Sequence, residues 1–317
     1  MIQEILERIK AANKIGICGH TNPDGDSIGS CFALANTLYR IGKTPYVYLD
    51  ENKIKFDSGA GRQFISNKTD IDLFISVDTA NIERVDVDIE LFKSVDNIVI
   101  DHHTSNNGFG TLNLINDTTS STCEVLYFVI NKLVKIDRNI ASWLYTGLIT
   151  DTDNFSHPNT TPTTLRIGAY LMEIGIDSSK INFFWVKSRP LKLFKNLAAL
   201  STKLEFIKDL KVVYILVDIE YMQKNNISID DINSVSSVLN VIPEAEIAIS
   251  LREIEKNITR VSFRSKRFNV DNVASYFGGG GHHLAAACTI ELHPKEAIEK
   301  VLDHLRLVKE NSKAFFL

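Results

Sequence analysis

The chain has 317 residues, 44% of them hydrophobic, which is enough to build more than one core. Its formal net charge of −4 excludes a generic nucleic-acid coat, so any contact with nucleotides must come from a local basic patch. Four scattered cysteines (Cys18, Cys31, Cys123 and Cys288) form no CxxC pair and read as free buried thiols of a reducing compartment. The first residues, MIQEILERIK, form an acid-bearing amphipathic helix rather than a signal peptide, and there is no apolar run of about 18 residues. The expectation is a cytoplasmic protein with no membrane association.

The first part of the chain alternates strand and helix. KIGIC opens it as a strand, and Ile28, Phe32, Ala35, Leu38 and Ile41 then recur at helical spacing from Asp26 onward. Pro45 to Leu49, Asp72 to Val77 and Asn97 to Ile100 read as further strands, apolar throughout as parallel strands buried on both faces tend to be. Ser121 and Glu124 predict a capping box for a helix reaching about Val134, and a second helix covers roughly Asn139 to Ile149. Thr161-Pro162 starts another, with Gly175 as its stop. Pro190 to Lys208 reads as a helical connection between two domains. Beyond it, Lys211 to Val217, Glu246 to Glu253 and Ile258 to Arg264 are strands, the last two joined by a turn at Glu255 to Asn257. Asp271 to Tyr276 is a short helix before Gly278 to Gly281, followed by a last strand, AAACTIEL, and a last helix, Pro294 to Val308.

Chemistry concentrates just after the N-terminal strands. His20, Asp24 and Asp26 follow the first strand, Asp78 ends the third, Asp101-His102-His103 closes the fourth, and Asp151 closes the helix carrying TGLITD. Ligands of open parallel sheets bind beyond the carboxyl ends of the strands, so these groups are expected to converge on one rim. Carboxylates with a few imidazoles and no thiolate suit Mn2+ or Mg2+ better than Zn2+. A two-metal centre needs a shared carboxylate with the ions about 3.5–4 Å apart, and Asp78, alone at a central strand end, is the candidate bridge. Taken singly each feature has a plainer explanation: Asp24-Gly25-Asp26 is a common turn, and an Asp at a strand end often caps a helix. Their succession at element ends is what points to a metal.

In order and rough spacing, HTNPDGDSIGS, SVDTA, DHH and TGLITDTDNF resemble the four motifs of DHH phosphoesterases, and RSK (264–266) with GGGGHHLAAA resembles the associated DHHA1 domain. The resemblance spans nearly the whole chain and is strongest to the short NrnA-like branch of oligoribonuclease/pAp phosphatases. It implies an α/β fold, with a mainly parallel N-terminal sheet carrying helices on both faces (residues 1–188). A helical linker (189–210) and a smaller DHHA1 domain with a mixed sheet (211–317) would follow.

The same resemblance implies a hydrolase that cuts short single-stranded oligoribonucleotides to 5′-nucleoside monophosphates, or 3′-phosphoadenosine-5′-phosphate (pAp) to AMP and phosphate. Two divalent ions are implied, Mn2+ foremost, with Mg2+ or Co2+ compatible. His20, Asp24 and Asp78 would hold one ion and Asp26, Asp78, His102 and Asp151 the other. Asp101 would orient an imidazole, and His103 would face the phosphate. Arg264, Ser265, Gly280, Gly281, His282 and His283 would bind the substrate, with Lys266 and Arg267 adding positive charge. A homodimer is a family-level expectation. The alternatives are a cyclic or linear dinucleotide (c-di-AMP or pApA) phosphodiesterase, and an inactive nucleotide-sensing module, which should lack a ligand. Two departures stand out: Asp153 where the family's fourth motif commonly has glycine, and Ala287 where AAG is usual. Phe155, Asn159 and Thr160, after Asp151, are candidate substrate or packing residues.

Overall fold

A computed structural model describes residues 1–228, 231–232 and 238–311, with only the backbone of His282 and Asn311. The chain divides into two compact units, Met1–Ser188 and Arg189–Leu317.

In the first unit, α1 (Ile2–Ala11) leads into β1 (Lys14–Cys18), α2 (Gly25–Arg40), β2 (Thr44–Tyr48), β3 (Leu73–Val77), α3 (Ile89–Lys93), β4 (Asp96–Asp101) and β5 (Leu112–Ile115). The five strands pair in parallel in the order β2-β1-β3-β4-β5. The strand order reverses between β1 and β3, so the crevice beyond their carboxyl ends is the natural ligand position. The helices α4 (Thr122–Leu133), α5 (Arg138–Asp151), α6 (Pro162–Glu173) and α7 (Ser178–Asn182) complete the unit. One face of the sheet (Ile15, Ile17, Ile75, Val77, Ile98, Ile100) packs with α1, α2, α4 and α5 around Phe32 and Trp143. The other carries Cys18, Phe74 and Val99 and is closed by Phe92 of α3 with Val85 and Ile71. This alternation is what a strand buried on both faces produces.

Two expected details differ. Ser121 caps α4 by accepting the Glu124 N–H, but the Glu124 carboxylate reaches past it to the Ser120 N–H and hydroxyl and to Thr164 Oγ1, at 2.6–3.1 Å. The box is therefore half formed, and Glu124 ties α4 to the start of α6. There Thr161 and Thr164 do form a full capping box, with Pro162 in the first turn. The strand β5 was not expected: it is four residues long, and Asn113 within it bonds back to Gly110.

In the second unit, α8 (Leu191–Ser201), β6 (Leu204–Ile207), β7 (Val212–Val217), α9 (Ile219–Asn225), β8 (Ile247–Glu255), β9 (Ile258–Ser265), α10 (Val270–Tyr276), β10 (Gly280–His282), β11 (Ala285–Ile290) and α11 (Pro294–Asn311) follow in order. The sheet runs β10-β11-β9-β8-β7-β6, with β7 and β8 parallel and the other pairs antiparallel. Val212 faces α10 and α11 while Val213 faces α8, so the sheet is sandwiched. The expected helical linker is corrected here: only its first part is helix, and residues 204–207 pair antiparallel with β7 as an edge strand. The second half of the glycine run, Gly280 and Gly281, lies in β10 against β11.

Candidate metal centre

Three strand ends and two helix ends bring the N-terminal acids and imidazoles together. His20 follows β1 and is 6% exposed; Asp78 follows β3 and is 2% exposed; Asp101 ends β4 and is fully buried. Asp24 caps α2, its Oδ1 accepting from the Asp26 and Ser27 N–H groups at 3.0 and 3.1 Å. Asp26, in the first turn of α2, is fully buried, and Asp151 ends α5. Their side chains form three groups, each with one ligand atom per residue lying within 4.8 Å of the others: His20, Asp24 and Asp78; Asp26, His102 and Asp151; Asp78, His102 and His103. Asp78 and His102 each belong to two of them.

The supports are local. Asp26 accepts the Thr122 N–H (2.7 Å) and the Cys123 N–H (3.0 Å), placing its carboxylate on the positive end of α4. Gly147 of α5 makes room for it, since a Cβ there would sit 2.3 Å from both Asp26 Oδ1 and Cys123 Sγ. Asp78 has φ 54°, a left-handed conformation that Asp tolerates, and its Oδ1 accepts from Thr122 Oγ1 at 3.0 Å. Asp101 accepts from His103 Nδ1 (2.8 Å) and Asn106 Nδ2 (2.7 Å), so the imidazole it orients is that of His103, whose side chain is half-buried. His102 Nε2 lies 3.1 Å from Asp151 Oδ2.

Charge in the cluster is poorly compensated. Burial, with the Asp151 carboxylate beside it, pushes Asp26 up to about 7, and burial with the Asp26 and Asp24 charges holds Asp78 well above the carboxylate range. Burial alone would depress His102, but its hydrogen bond to Asp151 and the charges of Asp26 and Asp101 raise it to about 9. His20 is lowered by burial. Asp101 behaves oppositely to its buried neighbours: burial would raise it, and the bonds from His103 and Asn106 hold it down instead. Among the described residues no lysine or arginine forms an ion pair with Asp26 or Asp78. Oxygen and imidazole donors of this kind, crowded around unneutralised buried carboxylates, fit divalent cations.

Thr122, Asn106 and Arg84 (whose Nη2 lies 3.3 Å from His20 Nδ1) are parts of this centre that sequence reasoning missed. Thr122 gave only a helix-start signal, and neither Asn106, in a loop, nor Arg84, in a single helical turn, belongs to a motif. Asp153 adopts φ 43°, which explains why glycine is favoured there; its side chain is 59% exposed and points toward His157 rather than into any of the three groups. Phe155 packs on Tyr145, and Asn159 Nδ2 donates to the Ser120 and Asp151 carbonyls, so both brace the loop after α5. Thr160 Oγ1 is buried without a hydrogen-bond partner.

In the second unit, Arg264 lies on β9 between Ala248 and Ala285, its Nη1 donating to the Phe263 carbonyl. Gly280 and Gly281 lie on β10; a Cβ at Gly281 would be 2.5 Å from the Ala285 carbonyl, whereas Gly280 is open, with Asp271 Oδ1 nearest at 3.7 Å. His283 Nε2 contacts the Arg267 carbonyl at 3.0 Å, and the His282 side chain lies outside the described residues. Ser265 departs from the expectation: it is 3% exposed, and its hydroxyl is shared between the Glu246 carboxylate and the Arg267 N–H. The positive cluster is also smaller than expected. Lys266 is committed to the Ile242 and Pro243 carbonyls, and Arg267 lies 3.6 Å from Glu246. Ala287 pairs with Gly280 in the β10–β11 ladder.

Comparison with known proteins matches both units. Residues 14–148 fit the model of the DHH family N-terminal domain, and residues 209–310 that of the DHHA1 domain. The bifunctional oligoribonuclease and PAP phosphatase NrnA of Thermus thermophilus is 28% identical over 314 residues, covering 96% of this chain and 93% of that protein. An exopolyphosphatase-related protein from Bacteroides fragilis shares the fold with a TM-score of 0.83 at 23% identity, covering 96% of this chain and 94% of that one. RecJ of Thermus thermophilus, solved in complex with Mn2+, gives a TM-score of 0.58 at 12% identity, covering 98% of this chain and 54% of that one. With both domain models matched in order and the acid–imidazole cluster at the expected sheet edge, the chain belongs to the DHH–DHHA1 family of phosphoesterases.

Proposed function

We propose that this phosphoesterase hydrolyses short single-stranded oligoribonucleotides to 5′-nucleoside monophosphates, and pAp to AMP and phosphate, with two divalent ions, Mn2+ foremost. The observation that carries the reading is Asp78, a buried carboxylate common to two three-residue groups of potential ligands. The choice of substrate is supported by the NrnA of Thermus thermophilus, similar over nearly the full length of both chains.

In this reading His20, Asp24 and Asp78 hold one ion, and Asp26, Asp78, His102 and Asp151 the other. Two such ions would supply an activated water and a clamp on the attacking and leaving oxygens. The chain does the rest. Thr122 and the start of α4 hold Asp78 and Asp26 in place through three hydrogen bonds of 2.7–3.0 Å. Asp101, braced by Asn106, accepts from His103 Nδ1 and holds the ring so that, as the imidazolium, it can donate from Nε2 to a phosphate oxygen and pass that proton to the leaving oxygen, keeping its Nδ1 proton on Asp101. In the second unit Arg264, Gly280, Gly281 and the two histidines would bind the nucleotide, arginine gripping a phosphate by two N–H groups. Ser265 is better read as holding the turn after β9.

The test is an assay with Mn2+ on pAp, pApA, longer oligoribonucleotides and c-di-AMP side by side, for the wild type and Asp78→Asn. Hydrolysis of pAp and pApA that collapses in the variant is the expected outcome. Inertness toward both substrates, or full activity of the variant, defeats the proposal. A strong preference for c-di-AMP would move the assignment to a cyclic dinucleotide phosphodiesterase.

A further inference from the structure

Arg84 sits beside the metal centre without a carboxylate of its own. The segment after β3 makes a helical turn at Ile82–Arg84, and Val85 then bridges antiparallel to His20. The Thr21 N–H donates to the Arg84 carbonyl at 2.8 Å and the Asp86 N–H to the Gly19 carbonyl at 2.9 Å. Val85, 5% exposed, anchors the bridge among Cys18 and Phe74. The backbone of Arg84 is thus pinned on both sides, whereas the residue itself is exposed. Arg8 and Arg62 each hold an aspartate, but among the described residues no carboxylate pairs with the Arg84 guanidinium. Among the described residues its one polar side-chain contact is His20 Nδ1, at 3.3 Å.

That contact is incompatible with the ring's proposed role. His20 turns Nε2 toward Asp78 Oδ2, 3.8 Å away. For a neutral imidazole to offer Nε2 to a cation, its proton must be on Nδ1. An Nδ1–H and a guanidinium N–H are both donors, so they cannot bond to each other. Once the centre is loaded, the guanidinium must leave His20 while its backbone stays fixed at the rim. Arginine released there needs an anionic acceptor, and the reaction supplies one.

We propose that Arg84 is a phosphate-binding residue, additional to Arg264, that takes the non-bridging oxygens of the phosphoryl group at the metal centre. The planar fork of N–H donors suits two oxygens of one phosphate. The identity of the anion rests on the phosphoesterase reading above; the release of Arg84 from His20 rests on His20 offering Nε2 to a cation, which fixes its proton on Nδ1.

The experiment uses the full chain with inorganic phosphate as the probe. Mn2+ binding is first titrated without phosphate, by the EPR signal of the free ion, for the wild type, Arg84→Gln and Arg84→Lys. Phosphate is then titrated calorimetrically into each Mn2+-saturated protein, and KM and kcat are measured on pAp. Arg84→Gln should bind Mn2+ as well as the wild type or better, because the competing donor on His20 is gone. It should bind phosphate about 10- to 100-fold more weakly, the range for losing hydrogen bonds to a charged group, and its KM should rise more than kcat falls. Arg84→Lys should recover part of the phosphate affinity. Unchanged phosphate affinity in Arg84→Gln overturns the proposal. So does a fall in Mn2+ affinity that accounts for the loss, which would make Arg84 a residue that merely positions His20. If the wild type cleaves neither pAp nor pApA, the substrate reading fails, yet the phosphate titration still judges Arg84.

Discussion

Stripping the metal should invert the usual dependence of stability on pH. Asp26 ionises near 3.8 in a free chain and near 7 in the folded, metal-free unit, because it is buried beside Asp151. Below pH 3.8 both states keep the proton and the group contributes nothing. As pH rises toward 7 the unfolded state releases a proton that the folded state retains, so folding is penalised progressively; above about 7 the penalty is constant. Asp78 is displaced the same way by burial and its acidic neighbours. His102, raised to about 9, adds stability that is full below pH 6.5 and is lost as pH climbs through 9. His20 opposes them, since its lowered value withdraws stability as pH falls below 6.5.

For Asp26 alone the step from pH 5 to 7 costs about 2 kcal/mol. In a unit of this size that lowers the melting temperature by about 4–8 °C. Both tryptophans, Trp143 and Trp185, lie in the first unit, so intrinsic fluorescence follows its unfolding selectively. The assay is thermal unfolding of chelator-treated protein from pH 5.5 to 8 at constant ionic strength, repeated with Mn2+. The metal-free melting temperature should fall as pH rises, Mn2+ should raise it most at the alkaline end, and Asp78→Asn should flatten the metal-free slope. Asparagine suits that position because it tolerates the left-handed backbone and can still accept from Thr122. A metal-free melting temperature that is flat or rises with pH would refute the reasoning.

Three further outcomes follow from the contacts. Asp101→Asn leaves His103 without its charged partner, so kcat on pApA should drop by about 10²- to 10⁴-fold, the usual range for lost general acid–base catalysis; Mn2+ stoichiometry, read by EPR, should be unchanged. Gly147→Ala forces a methyl group to within 2.3 Å of Asp26 Oδ1, and should cost about 1–3 kcal/mol in thermal unfolding as well as weaken Mn2+ binding. Arg264→Gln should raise KM for pAp by about 10- to 100-fold in steady-state kinetics while leaving the Mn2+ titration unchanged, because the arginine lies on β9 of the second unit.

How far the chain could be read in advance depended on whether a residue's work is local. The strands β1, β3 and β4 carry apolar runs, and each delivers its acid or histidine at its end or within two positions of it, so the rim was legible from the spacing of His20, Asp78 and Asp101. Asp24 and Asp26 begin α2, where the turn signal and the metal signal coincide in one tripeptide. The groups that hold these residues in place were not legible, because each acts across the fold. Thr122 reaches Asp78, 44 positions away, and its N–H reaches Asp26, 96 positions away, while in sequence it reads only as the first residue of a capped helix. Arg84 reaches His20 over 64 positions through a bridge of single residues too short to leave any periodicity.

The same limit acted in reverse in the second unit. The basic run Arg264 to Arg267 promised four groups for a phosphate, but burial turned Ser265 inward and spent Lys266 on carbonyls and Arg267 on Glu246. A motif reports which side chains are available, and competition among neighbours decides which remain free. Arg264 and Arg84 meet that test in different ways. Arg264 bonds only to the carbonyl of the preceding residue among its described hydrogen bonds, and Arg84 holds a contact that a ligated His20 cannot keep.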